Sequence, residues 1–120
     1  MATILAVDDS ASMRQMVGFT LKSAGHDVIE ASDGREALTI AQKRGVDLVL
    51  TDVNMPNMDG ISLVSQLRAI ATYKFTPILL LTTESAADKK QAGKAAGATG
   101  WIVKPFQPDQ LLATIRKVLS

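Results

Sequence analysis

Five short apolar runs punctuate the chain: TILAV (3–7), DVIEA (27–31), DLVLT (47–51), PILLLT (77–82) and GWIVK (100–104). They start about every 20 to 30 residues, too far apart for hairpins and right for strands joined through helices. Three of them are almost continuously apolar, as parallel strands covered on both faces must be. DVIEA is more polar and suits a sheet edge. The intervening stretches carry apolar residues at helical spacing. Met13, Met16, Val17, Thr20, Leu21 and Ala24 form one such face, stopped by Gly25. Ala37, Leu38, Ile40 and Ala41 follow Asp33-Gly34, and Ile61, Leu63, Val64, Leu67 and Ile70 follow Asp59-Gly60. Residues 86–96 form an alanine-rich, polar helix, the weakest of the set. Leu111, Leu112, Ile115, Val118 and Leu119 form the last, with Pro108 near its start.

The expected fold class is therefore α/β: a doubly wound, five-stranded parallel sheet, (βα)5, in the flavodoxin-like strand order 2-1-3-4-5. A length of 120 residues suits one domain over 1–120 with a real core. There is no cysteine, which excludes disulfides, thiolate metal sites and a cysteine nucleophile. No apolar run reaches membrane-spanning length and no signal pattern opens the chain, so a cytoplasmic protein without a membrane partner is expected. Net charge is +1, which gives no global attraction to nucleic acid. The charge is nevertheless uneven. Residues 1–87 are net −3, whereas residues 88–120, with Lys89, Lys90, Lys94, Lys104, Arg116 and Lys117 against Asp88 and Asp109, are net +4.

The first strand poses an electrostatic problem. ILAV runs straight into Asp8 and Asp9, adjacent like charges at the end of a buried strand. In sheets of this type ligands bind beyond the carboxyl ends of the strands. Asp8 and Asp9 fall past the first strand, Asp52 past the third, Thr82 and Thr83 past the fourth, and Lys104 past the fifth. Three carboxylates at one edge suit Mg2+, a hard cation that takes oxygen ligands and keeps several waters. A carboxylate beside a metal is also a candidate nucleophile toward phosphorus, and a lysine and a hydroxyl suit the equatorial oxygens of a transferring phosphoryl group. No glycine-rich phosphate loop follows the first strand, which argues against Walker or dinucleotide sites. Taken singly, each residue has a plainer reading. Asp8-Asp9 could open a helix with Ser10 or Ser12 as cap, Asp52 could be a turn residue, Thr82 a strand end, Lys104 a surface lysine and Trp101 a half-buried aromatic. Their common register outweighs those readings. His26 reads as an exposed turn residue, and Met13, Met16, Met55 and Met58 as packing.

VDDS, TDVNMPNMDG, LLTTE and GWIVKPF, in this order and spacing, resemble the receiver domain of bacterial two-component response regulators, with the single-domain CheY-type chemotaxis regulators as the nearest type. The resemblance runs from Ile4 to Leu119. It implies that Asp52 is the phosphoacceptor, and that Asp9, Asp52 and the backbone carbonyl of Asn54 bind Mg2+ directly while Asp8 holds metal-bound water. Thr82 would bond the phosphoryl group and Lys104 would pair with it. The Lys104-Pro105 peptide would be cis, and Met55-Pro56 and Asp59-Gly60 would shape the loop after Asp52. Trp101 stands where the family has a switch tyrosine or phenylalanine, and would turn inward as Thr82 moves toward the phosphate. Glu84 would lie near enough to the site to influence dephosphorylation. The implied partners are a sensor histidine kinase of the chemotaxis type and a motor-switch or other output protein docking on the 88–120 face of a monomer, so the domain would be a signalling phosphoacceptor and not an enzyme acting on other molecules. Three other readings share parts of the pattern: a small Mg2+-dependent phosphohydrolase, a flavodoxin-like mononucleotide carrier, and a receiver that serves only as a phosphate sink.

Overall fold

The computed structural model describes residues 2–83, 87–104 and 106–119, with the side chains at 83 and 87–89 outside that description. Glu84, the Lys104-Pro105 peptide and the Lys89 side chain therefore lie outside the described residues. Strands β1 (Thr3–Val7), β2 (Asp27–Ala31), β3 (Leu48–Asp52), β4 (Ile78–Thr83) and β5 (Gly100–Lys104) alternate with helices α1 (Ala11–Ser23), α2 (Gly34–Lys43), α3 (Gly60–Arg68), α4 (Ala87–Ala96) and α5 (Pro108–Leu119). All strand pairs are parallel, as the spacing of the apolar runs predicts, and the order is β2-β1-β3-β4-β5, that of the expected doubly wound fold. β3 and β4 begin one residue later than their apolar runs.

Strand periodicity divides the interior in two. Leu5, Val7, Val49, Ile78 and Leu80 pack with Leu63, Val64 and Leu67 of α3 on one face. Ile4, Ala6, Leu48, Leu50, Leu79 and Leu81 pack with Val17 and Leu21 of α1 and with Leu111 and Ile115 of α5 on the other. A parity switch between β3 and β4 follows from the pairing of Val49 with Ile78.

Each of the first three helices starts on a side-chain cap. Ser10, Asp33 and Asp59 accept the N–H of Met13, Glu36 and Ser62 respectively. The buried arc of α1 is narrower than its apolar pattern predicts: Val17, Gly18, Thr20 and Leu21 are buried, whereas Met16 and Ala24 are exposed. Gly18 faces Glu30 and Val28 of β2, and a helix turns 100° per residue, so Met16 is carried to the solvent side. Met13, Met55 and Met58 do pack on the cores. Ile70 lies beyond α3, in extended backbone that opens a single 3-10 turn, Ala71–Tyr73. His26 is half-buried and not exposed, because its Nδ1 accepts the N–H of Ala2 at 3.3 Å.

The amino ends of the strands are tied by two side chains that the apolar pattern does not reveal. Tyr73 is buried, and its hydroxyl reaches the carbonyls of Ala41 and Arg44 at 2.7 and 2.8 Å. The Arg68 guanidinium donates to the carbonyls of Gly97 (2.9 Å), Tyr73 (2.7 Å) and Thr76 (2.7 Å). It joins the end of α3 to the turn before β4 and the turn before β5. Burial pushes its pKa down, and the ring of carbonyl dipoles is what makes the charge tolerable. Arg68→Ala leaves those carbonyls without their donor and is expected to cost about 3 kcal/mol in urea unfolding. Arg68→Lys should recover only part of that, since an ammonium lacks the planar fork.

Candidate functional site

The ladder that builds the sheet also assembles the acidic edge. Val7 pairs with Thr51, so Asp8 continues β1 alongside Asp52, the last residue of β3. Asp52 pairs with Leu81, and Thr83 with Lys104, which ends β4 and β5 on the same line. Asp8, Asp9 and Asp52 each offer one carboxylate oxygen, and these oxygens lie within 4.8 Å of one another. Asp8 is 2% exposed, Asp52 is half-buried and Asp9 is exposed. Lys104 Nζ lies 3.0 Å from Asp52 Oδ1 and 3.6 Å from Asp8 Oδ2. Four of the expected side chains are thus brought together, and Thr82 is buried one residue beyond Leu81. Asn54 lies exposed in the loop that follows β3.

The two oxygens of Asp8 differ. Oδ1 accepts the N–H of Ser10 at 2.9 Å. Oδ2 is buried and accepts no hydrogen bond among the described residues. The 3.6 Å to Lys104 is close enough for charge attraction and too long for a hydrogen bond. Burial pushes the Asp8 carboxyl above the ordinary carboxylate range, the Ser10 N–H and Lys104 oppose this, and the charges of Asp52 and Asp9 add to it. A buried carboxylate oxygen without a donor, facing two further carboxylates, fits a hard divalent cation with oxygen ligands. The capping role belongs to Ser10 alone, which frees Asp8 and Asp9 for the cluster.

The folded Asp8 keeps its proton to higher pH than the unfolded chain does. From the ordinary carboxylate pKa up to the folded value the native state binds more protons, so Asp8 makes stability fall as pH rises through that window. Asp8→Asn removes this penalty. It should raise the melting temperature at neutral pH without divalent cations, and shrink the rise that Mg2+ produces. Thermal melts at pH 7 with and without Mg2+ measure both.

Asp52 Oδ1 is doubly held, by Lys104 and by the N–H of Val53 at 2.9 Å. Oδ2 accepts no hydrogen bond among the described residues. Trp101 is 39% exposed on the edge strand, with Lys90 Nζ 5.8 Å from its ring centroid. Its pairing with Leu80, two positions before Thr82, puts Trp101 and Thr82 on the same sheet face. Arg14 is a site neighbour that the motifs do not mark. Its guanidinium donates to the Asp8 carbonyl at 2.7 Å and pairs with Glu30 at 3.2 Å. The signal was its place one helical turn after the Ser10 cap, on the side facing β1 and β2.

The response regulator receiver domain family matches residues 4–116. A chemotaxis protein CheY homologue of Campylobacter jejuni is 41% identical over 119 residues, 98% of this chain and 92% of that protein. The probable transcriptional regulator ycf27 of Porphyridium aerugineum is 41% identical over 116 residues, and the chain spans only 47% of its length. Among solved structures, the chemotaxis response regulator CheY4 of Vibrio cholerae is 59% identical, covers 99% of both chains and superimposes with a TM-score of 0.94. A putative response regulator from Chloroflexus aurantiacus is 36% identical with a TM-score of 0.95, over 98% of this chain and 97% of that one. With the fold, the acidic edge and these relatives in agreement, the chain belongs to the response regulator receiver domain family.

Proposed function

We propose that residues 1–120 act as one cytoplasmic receiver unit in which Asp52 takes a phosphoryl group from a phosphohistidine of a sensor kinase, in a Mg2+-dependent reaction that serves chemotaxis or motility control. The observation that carries this reading is the contact of Lys104 with Asp52 at 3.0 Å inside a cluster of three carboxylates. Asp52 Oδ2, which accepts no hydrogen bond among the described residues, attacks phosphorus in line. The new O–P bond forms as the P–N bond to the donor imidazole breaks, and that electron pair leaves with the donor nitrogen. Lys104 holds Asp52 Oδ1 and supplies positive charge beside the incoming phosphoryl oxygens. Thr82 would hydrogen-bond one of those oxygens. Asp9, Asp52 and the Asn54 carbonyl would hold Mg2+, with Asp8 reaching it through water, and the ion would offset the charge that accumulates on the transferring group.

Phosphorylation adds charge that Lys104 and Thr82 must answer, and a shift of Thr82 would bias Trp101, on the same face, from its exposed position toward the interior. The face built by α4, β5 and α5 would carry that change to an output partner. Its surplus of Lys and Arg favours an acidic segment on that partner. A small-molecule phosphohydrolase would share the carboxylates and the lysine but would also need a substrate pocket beside them. A cavity of about 700 Å3 lies at the other end of the sheet, lined by Ala2, His26, Asp47 and Arg116 among others. The test is transfer of labelled phosphoryl from a phosphorylated histidine kinase. Mg2+-dependent appearance of one acid-stable, base-labile phosphoryl group per chain is expected, and its absence with every kinase of the cell, and with acetyl phosphate, would refute the reading.

A further inference from the structure

The loop between β3 and α3 begins beside the phosphoacceptor and carries Asn54. Its base is closed by the N–H of Gly60, which donates to the Val53 carbonyl at 2.8 Å. Its tip is fastened elsewhere. Asn57 has φ +68°, the one positive φ outside glycine among the described residues. Asparagine is among the few non-glycine residues that enter this region readily. That backbone directs its side chain to the start of α2, where Nδ2 donates to Asp33 Oδ2 at 2.9 Å.

Asp33 is itself a fixed post. Its Oδ1 accepts the N–H of Glu36 at 2.9 Å as the α2 cap, and Glu36 Oε1 accepts the N–H of Ser32 at 2.6 Å. The two bonds resemble a capping box shifted by one residue, since Glu36 reaches the N–H just before the cap. The Glu36 N–H and the Asn57 amide hold the Asp33 carboxyl below the ordinary range, so it stays ionised and a strong acceptor near neutral pH. Next to the post, the loop touches backbone. A Cβ on Gly34 would come within 2.5 Å of the Met58 carbonyl oxygen and 2.8 Å of Met58 Cβ. The loop tip therefore sits flat on the first residue of α2.

We propose that Asp33 and Asn57 form a clasp that holds this loop in the shape its metal-binding carbonyl requires, which makes them positioning residues for the site. Neither belongs to the cluster of Asp8, Asp9 and Asp52. They act through the loop, by making its one polar carbonyl ligand rigid before the ion arrives, so that binding does not have to order it. The proposal rests on the metal reading given above, and its test separates the two.

Asn57→Gly keeps the left-handed backbone at low strain and removes only the amide. Asp33→Ser keeps a competent helix cap and removes the carboxylate. The double exchange Asp33→Asn with Asn57→Asp restores the bond in the opposite sense, since an amide at position 33 can still cap through its oxygen and donate through its nitrogen. Mg2+ affinity is read by calorimetry, and phosphorylation by acetyl phosphate is read across Mg2+ concentration. Each single variant should bind Mg2+ about three- to tenfold more weakly. Its phosphorylation rate should fall at low Mg2+ and return to the wild-type maximum at saturation, and the exchange variant should recover most of the affinity. Wild-type affinity in Asn57→Gly, with only a lowered melting temperature, would make the clasp a fold contact and overturn the proposal. Asp9→Asn separates the underlying reading. If it binds Mg2+ as tightly as wild type, the ion is not held by this cluster, and the clasp falls with the metal site for a reason the Asn57 variants alone would not reveal.

Discussion

We expect Asp52→Asn to take up no phosphoryl group, from a phosphohistidine donor or from acetyl phosphate, at any Mg2+ concentration. The substitution is nearly isosteric. Its side-chain oxygen still accepts the N–H of Val53, and Lys104 still has the Asp8 carboxylate nearby. The variant should therefore fold, and what it loses is the carboxylate oxygen that, on the proposed reading, attacks phosphorus. An amide is neutral and a poor nucleophile, so the loss should be complete within the background of a labelling assay. Label of wild-type intensity on the Asp52→Asn variant would move the nucleophile elsewhere. Asp9 is the neighbour to test next, since it is the exposed member of the cluster.

Gly60→Ala should damage fold and function together. A Cβ there would overlap the carbonyl oxygen of Asp52 and stand 3.0 Å from both the Asp52 carbonyl carbon and Val53 Cα. These are backbone atoms and cannot rotate away. Either α3 lifts off the sheet or the end of β3 is displaced, and the expected cost is about 3 kcal/mol in urea unfolding. The displacement falls on Asp52, the proposed nucleophile, and small misplacements of a reacting group cost rates of about 10–100-fold. Unfolding and phosphorylation measured on the same preparation decide the matter. A stable variant with normal phosphorylation would mean that α3 does not pack on Asp52 as described.

The sheet was legible because its residues obey one rule each. ILAV and LVL are buried on both faces, and only parallel strands between helices do that with segments this short. The acidic edge was legible because parallel strands end on a common line, so counting to the end of each apolar run finds Asp8, Asp52 and Lys104 without any knowledge of distances. What escaped was polar and non-local. The arginine at 68 reads as one more surface charge on a helix, and nothing nearby in sequence announces the carbonyls of Gly97 and Thr76 that surround it. Asn57 reads as a turn residue, since its partner stands 24 positions earlier. The buried arc of α1 was misplaced because hydropathy weighs Met16 above Gly18, whereas close approach to β2 favours the residue without a side chain. The partition between direct and water-mediated metal ligands came from the family resemblance and not from spacing. Spacing does not distinguish Asp8 from Asp9; the structure gives them different burial, with Asp8 buried and Asp9 exposed.

The Asp8 oxygen that has no donor among the described residues has a meaning beyond the proposed ion binding. Folding forces that oxygen into a place where water and donors are both scarce, and a neutral side chain of the same shape would sit there more comfortably. Repeated rounds of mutation screened only for heat resistance would therefore replace this aspartate and keep the fold. A residue that the fold alone would not favour, yet which stands buried at the carboxyl end of β1, fits a demand from outside folding. Positions of that kind locate a working site from energetics alone, before any partner or ligand is identified.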